Sequence, residues 1–421
     1  MILRDPVHGL ISFEGEVEAI VPRLLDTREL QRLRRIRALG HASLAFPGAE
    51  HSRFAHAIGS AHVMKRYLDR VRGLASDIPA GDRIDDDMAR VALAAALLHD
   101  LGHGPYSHSF ESVVPGGREH ESWTSAIILD PDTEVHAVLS DIDPQFPRAV
   151  ERLVHGQHPI RHLARAVSGT FDVDRCDYLL RDSHMTGVRY GLLDLDWLLQ
   201  ALRLHVEPGQ AAASLAVDGE KGLTAVEGFF LGRLYMYRQV YLHKAVRAAE
   251  AVLRALFRRL ADLERQPDTP AALEAVLRRE EIAVAAYLEL DDNAIDTAVR
   301  GYRNGRDAIL SDLASRLSHR RLFKTLRLAP DAPIDEVRLA LDTAVREQGM
   351  DPRYYACVDR VEIDVYAEDE ALKVVSNGKL RGLLEASPVL LGLSRQTFLH
   401  YRVVCRPEDR EVVADAVRRY L

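Results

Sequence analysis

The sequence predicts a mainly α-helical globular chain that carries a small β-hairpin and a C-terminal α+β lobe. Apolar residues recur at helical spacing from residue 28 to about 320. Alternating or β-branched runs are confined to 204–223 and to the last hundred residues. Composition agrees: 421 residues, 47% hydrophobic and 28% charged, allow a sizeable core beneath a solvated surface.

Taken in order, helical patterns cover 28–39, 56–72, 88–101, 122–129, 149–154, 173–181 and 195–202. The segment 88–101 is rich in Ala and Leu, which favours a buried helix, and Gly102, Gly104 and Pro105 then break it. Leu204-His-Val and Ser214-Leu-Ala-Val-Asp alternate on either side of Pro208-Gly209, as a hairpin does. From 225 to 263 no proline interrupts the helical spacing, so one long helix or a kinked pair is expected. Gln266-Pro-Asp-Thr-Pro270 marks a turn, and Asp291-Asp292 opens a shorter helix. Further on, Val361-Glu-Ile-Asp-Val-Tyr366 and Tyr401-Arg-Val-Val-Cys405 read as strands, 372–376 and 380–383 as weaker ones, and 408–421 as a closing amphipathic helix. The expected division is a helical domain over 1–324 and a small α+β lobe over 325–421 that holds no catalytic cluster of its own.

Several function classes are disfavoured. No run reaches the ~18 apolar residues of a membrane span, and no apolar region follows the charged start Met-Ile-Leu-Arg-Asp. Three scattered cysteines, Cys176, Cys357 and Cys405, make no disulfide framework and fit a reducing cytoplasm. A net charge of −8 argues against stable nucleic-acid binding, and basic clusters such as Arg32/Arg34/Arg35/Arg37 read as solvated helix faces.

The chemistry concentrates in 91–108, VALAAALLHDLGHGPYSH. A buried imidazole and carboxylate each need a partner, and a metal ion supplies one to both. Fourteen of the eighteen histidines precede residue 185. His56, His99, Asp100 and Asp174 together offer two imidazoles and two carboxylates, a mixed N/O set that suits Mn, Fe, Mg, Zn or Co and leaves positions open for water and phosphate. Polyphosphate needs cationic partners besides, and Arg53, Arg175 and Arg233 are candidates because a guanidinium grips phosphate through two bonds. A polyphosphate also brings its own Mg²⁺ as a weaker second ion.

These motifs resemble the HD-domain metal-dependent phosphohydrolases, in the branch that contains the vertebrate SAM- and HD-domain dNTP triphosphohydrolase and its bacterial relatives. The resemblance rests on Asp5-Pro-Val-His-Gly9, Arg28-Glu-Leu-Gln-Arg-Leu-Arg34, Phe46-Pro-Gly-Ala49, Ser52-Arg-Phe-Ala-His56, His99-Asp-Leu-Gly-His-Gly-Pro-Tyr-Ser-His108, His120-Glu121 and Asp172-Val-Asp-Arg-Cys-Asp-Tyr178. Arg181-Asp182, Arg233 and Tyr241-Leu-His-Lys244 extend it, so it covers about residues 1–265 in order. No SAM-like segment is present, because the pattern begins at residue 5. The resemblance implies an HD-domain helical core over 1–324 and release of deoxynucleoside and triphosphate from a dNTP. It also implies a homo-oligomer, dimer or tetramer, with an activator nucleotide at subunit contacts in some relatives. His120 becomes the leading general acid, with Glu121 to orient it, and His103 and His108 hold the α-phosphate.

By the same resemblance Arg53, Arg175 and Arg233 line the nucleotide site, while Tyr178, Asp182 and Tyr241 form the sugar pocket. Asp182 accepts a hydrogen bond from a ribose 3′-OH. Ala38 precedes Leu39-Gly40 where the vertebrate enzyme has a 3′-OH-sensing glutamine, a departure that loosens the implied strictness for 2′-deoxynucleotides. Hydrolysis of another nucleotide (ribonucleotide, dinucleoside polyphosphate, cyclic nucleotide or alarmone) and nucleotide sensing with low turnover stay open as alternatives.

Overall fold

The centre of the fold is the helix Arg53–Arg72, which is buried along most of its length and packs against Asp86–Leu98 and Val173–Thr186. In this computed structural model residues 1–75, 78–107, 110, 119–169, 171–206, 209–210, 212–264, 268–363, 372–396 and 398–421 are described. Asp86–Leu98 begins at Asp85, whose carboxylate accepts the Met88 N–H, and Asp86 and Asp87 complement the positive helix end. Its Ala- and Leu-rich body is buried from Val91 to Leu98, as expected of a helix apolar all round. Val173–Thr186 is capped by Asp172, which accepts the Arg175 N–H, and stops at Gly187 in the left-handed conformation (φ 78°).

The expected helix over 28–39 is shorter. Arg28–Arg32 runs into a 3-10 turn, Leu33–Arg35, and then Ile36 is extended. Backbone pairing explains this: Ala38 N–H donates to His51 O, and Arg53 N–H donates to Ile36 O. The chain leaves the helix to brace the start of Arg53–Arg72. The expected stretch 225–263 is a kinked pair, Leu223–Met236 and Lys244–Asp262, joined through a π-helical turn at Tyr237–Tyr241. Such turns widen a helix locally and are frequent at functional sites.

Strand β1 (Ile2–Asp5) pairs antiparallel with β2 (Gly9–Ser12), a hairpin that sequence patterning did not signal. The expected hairpin is β3 (Leu202–His205) against β4 (Ser214–Asp218). β5 (Lys324–Arg327) and β6 (Ala356–Ile363) flank β9 (Phe398–Cys405) in one antiparallel sheet. β7 (Lys373–Ser376) and β8 (Lys379–Gly382) form a second C-terminal hairpin, and β7 lies parallel to β4. The last hundred residues are thus tied to the helical core through the β4–β7 pairing, the Arg247–Asp359 ion pair and the Ser387–Glu227 hydrogen bond. Residues 364–366 of the expected 361–366 strand, and 266–267 of the expected turn, lie outside the described residues. Asp292–Tyr302 is capped by Asp291, and the closing helix is Arg410–Ala416 with 3-10 turns at both ends. Among the described residues no helix is long and apolar enough to cross a membrane.

Candidate metal centre and nucleotide cavity

Three elements of the core bring the proposed metal donors together. His56 sits in the first turn of Arg53–Arg72, His99 and Asp100 follow Asp86–Leu98, and Asp174 is in the first turn of Val173–Thr186. His56 Nε2 is 2.9 Å from Asp174 Oδ1 and 3.6 Å from Asp100 Oδ2. His99 Nε2 is 3.4 Å from both Asp100 Oδ1 and Asp174 Oδ1. Donors about 2.1 Å from one ion stand roughly 3 Å apart when adjacent, so the spacing of His56, His99 and Asp174 suits a shared ion. Asp100 turns one oxygen to His56 and the other to His99, and its donor groups instead with His103 and His120. The tautomers fit as well. His99 Nδ1 lies 2.9 Å from Ala96 O and His56 Nδ1 lies 2.7 Å from Asp177 Oδ2, so each Nδ1 keeps its proton and each Nε2 is the nitrogen that faces an ion once its own proton is lost. His99 Nε2 is buried with no hydrogen-bond partner. Those are features of a metal site.

Asp177 was not singled out from the sequence, yet it is the hub beneath the site. Fully buried, it meets His56 Nδ1, His8 Nε2 (2.6 Å), and Arg181 Nε and Nη2 (2.9 Å each). Arg181 Nη1 also donates to Asp5 Oδ2 at 2.8 Å. Asp5-Pro-Val-His-Gly9 therefore supports His56 from behind, and the signal for it was that motif. Gly59 makes the arrangement sterically feasible, because a Cβ there would stand 1.8 Å from Asp177 Oδ1 and 2.4 Å from Arg181 Nη2. Burial pushes the Asp177 carboxyl up, but Arg181, His56 and His8 outweigh it and hold it well below its usual range. Burial likewise opposes protonation of His56, yet Asp174 and Asp177 outweigh it and hold its pKa at about 10.

A second histidine set adjoins the first. His103 Nε2 is 3.2 Å from Asp100 Oδ1, and the His103 and His120 rings stack at 3.9 Å and 13°. His120 Nδ1 is 3.3 Å from Glu121 Oε2. Gly102 permits the approach: a Cβ there would lie 2.1 Å from His120 O and 2.3 Å from Thr124 N. Burial and the Arg53 guanidinium push His103 well below the ordinary imidazole range. His108 lies outside the described residues.

His56, Asp100, Asp174, His103 and His120 line a cavity of about 410 Å³, while His99 stands behind them, outside its lining. Arg53 lines it but is engaged: Nη1 donates to Asp100 Oδ2, and Nε donates to Ser107 Oγ at 2.7 Å. Arg175 lines it while donating to Asp172 and to Gly169 O. Arg233 is not among the lining residues, and its guanidinium stands 5.5 Å from the Tyr237 ring, which is. Tyr178, Asp182 and Tyr241 share the cavity, with the Tyr241 hydroxyl donating to Asp182 Oδ2 at 2.8 Å. His51 Nε2 lies 2.9 Å from Asp182 Oδ1, a contact unforeseen from the sequence. Ala38 and Leu39 complete this side.

A helical core presenting clustered His and Asp donors to a half-open cavity defines a hydrolase class built around a metal. The family model described as HD domain matches residues 53–155, and the one described as HD associated region matches 194–421. The chain belongs to the HD-domain phosphohydrolase family, related to the SAMHD1 type, in which the HD motif implies a divalent metal. It is 34% identical to the uncharacterized protein YwfO of Bacillus subtilis over 93% of this chain and 89% of that one. The deoxynucleoside triphosphate triphosphohydrolase SAMHD1 homolog of Dictyostelium discoideum is 30% identical over 61% of this chain and 48% of its own length. Among solved structures, a phosphohydrolase of Bacteroides thetaiotaomicron superposes with a TM-score of 0.80 at 27% identity, covering 96% of this chain and 99% of that one.

Proposed function

We propose that this protein is a metal-dependent dNTP triphosphohydrolase, converting a dNTP and water into a deoxynucleoside and inorganic triphosphate. The observation that carries this reading is that one cavity joins His56, Asp100 and Asp174 with the stacked His103 and His120 and the Tyr241–Asp182 pair. His56, His99, Asp100 and Asp174 would hold a divalent ion, which would supply Lewis acidity to water and to the phosphoryl oxygens.

The side chains divide the remaining work. Arg175 meets polyphosphate, while Arg53 compensates Asp100 and fixes its direction. His103 is tied to Asp100 and positions the α-phosphate. His120 protonates the departing O5′ as its bond to the α-phosphorus breaks, and the neighbouring Glu121 carboxylate orients the ring. Asp182, aligned by Tyr241 and His51, receives the 3′-OH, since each of its oxygens has a second lone pair. Tyr178 and Tyr241 pack the sugar.

The test is a metal-reconstituted assay with chromatographic separation of products. Deoxynucleoside and triphosphate appearing together support the reading. Successive diphosphate and monophosphate nucleotides, or no turnover of any dNTP with or without GTP or dGTP present, refute it.

A further inference from the structure

One wall of the cavity carries a charge pair that the chemistry above leaves unused. Arg247 and Glu250, about one turn apart on Lys244–Asp262, both line it. Arg247 Nη1 donates to Glu250 Oε2 at 2.9 Å. On its other side Arg247 Nε donates to Asp359 Oδ2 at 3.2 Å, and Nη2 donates to Asp359 Oδ1. Asp359 belongs to β6 and is buried, so the C-terminal sheet clamps the guanidinium from behind. The pair is held but not sealed: the side chains of Arg247 and Glu250 are 21% and 17% exposed.

Around the pair this wall is apolar, with Leu39, Ala42 and Val246 in contact with one another and lining the same cavity. None of the four metal donors lies on the elements that build it. An apolar wall with a few fixed polar groups is how proteins bind a flat heterocycle. A carboxylate only accepts hydrogen bonds and a guanidinium only donates them. Guanine alone among the DNA bases sets two adjacent donors, N1–H and N2–H, beside an acceptor, O6. Adenine and cytosine turn a ring nitrogen acceptor toward the carboxylate, and thymine flanks its single N–H with two carbonyls. We propose that Glu250 and Arg247 read the nucleobase and select guanine, Glu250 accepting from N1–H and N2–H and Arg247 donating to O6. This rests on the nucleotide reading above and adds its substrate class.

The experiment compares kcat/KM for dGTP, dITP and dATP in the metal-loaded wild type and in Glu250→Gln, and separately measures equilibrium binding of deoxyguanosine and deoxyadenosine. A bidentate base contact is worth roughly a 10- to 100-fold preference, so dGTP should exceed dATP by that factor. dITP, which lacks only the N2 amino group, should fall below dGTP in the wild type, an arm that requires no substitution. Glu250→Gln should bring the dGTP/dATP ratio close to one, chiefly through KM, with inhibition by inorganic triphosphate unaltered. Equal rates for the three substrates, or a uniform loss in Glu250→Gln, overturn the base assignment while leaving the triphosphohydrolase reading intact. Selective deoxyguanosine binding that depends on Glu250, with no dNTP hydrolysed, would do the reverse. No turnover together with no nucleoside preference overturns both.

Discussion

Replacing Asp177 by asparagine removes one charge from the buried hub and leaves the side-chain shape nearly unchanged. In the wild type this carboxylate takes four contacts, from His56, His8 and two nitrogens of Arg181, and none of these side chains is solvent-exposed. Breaking a buried charge pair costs about 3–5 kcal/mol, and the lower end applies because Arg181 keeps Asp5. A Tm drop of roughly 3 °C follows for a chain of this length. The second effect is electronic. An asparagine amide that turns its NH₂ toward His56 Nδ1 forces the ring proton onto Nε2, where the metal lone pair belongs. Loss of such supporting contacts typically weakens metal binding about 10–100-fold. Calorimetric titration of metal-free protein with Mn²⁺, alongside thermal melts, reads both effects. If Asp177→Asn melts within 1 °C of wild type and binds Mn²⁺ equally well, the hub does not set the His56 tautomer and the reasoning fails.

Gly59→Ala should be at least as damaging, since its methyl group collides with two buried charged groups; overpacking alone costs about 1–3 kcal/mol, and an unaltered Tm would refute the steric argument. Metal affinity should rise with pH: burial opposes the protons, but the neighbouring carboxylates hold His56 at about 10 and His99 at about 8, so at pH 7 binding must expel about two protons, measurable by calorimetry in buffers of different ionisation heat. The same raised values mean that metal-free protein keeps this stabilisation below about pH 6.5 and loses it as pH climbs through 8 to 10; a Tm independent of pH over that interval contradicts the cluster. His120→Ala should lower dNTP turnover by about 10²–10⁴-fold and spare a nitrophenyl phosphodiester, whose leaving group needs no proton; an equal loss on both would reassign His120 to positioning.

The helical class was legible because the run ending in His99-Asp100 is apolar on every side, and a polar pair at the end of such a run needs a reason to be there. The kink between Leu223–Met236 and Lys244–Asp262 was legible only as an alternative, since a π-helical turn leaves the apolar spacing nearly intact. The helix over 28–39 was overestimated for the opposite reason. Periodicity persists through Ile36 and Leu39, and the backbone pairing of Ala38 with His51 that ends it is a tertiary fact.

Within the site, spacing says least where it matters most. Asp172, Asp174 and Asp177 stand in one short motif, all buried or half-buried; the sequence offers Asp174 as a metal donor and assigns the other two no duty. The fold does. Asp172 caps the helix, Asp174 meets the Nε2 face of His56 and Asp177 meets its Nδ1 face, so one imidazole lies between two carboxylates of different function. That division depends on how Val173–Thr186 crosses Arg53–Arg72, and the crossing depends on Gly59 having no side chain. Likewise nothing in the sequence joins Arg247 to Asp359, 112 residues away, until β6 pairs with β9 and carries that carboxylate to the back of the cavity. Candidate metal donors declare themselves by type. Residues that fix the direction of those side chains are ordinary aspartates, arginines and glycines, and only packing distinguishes them from the rest.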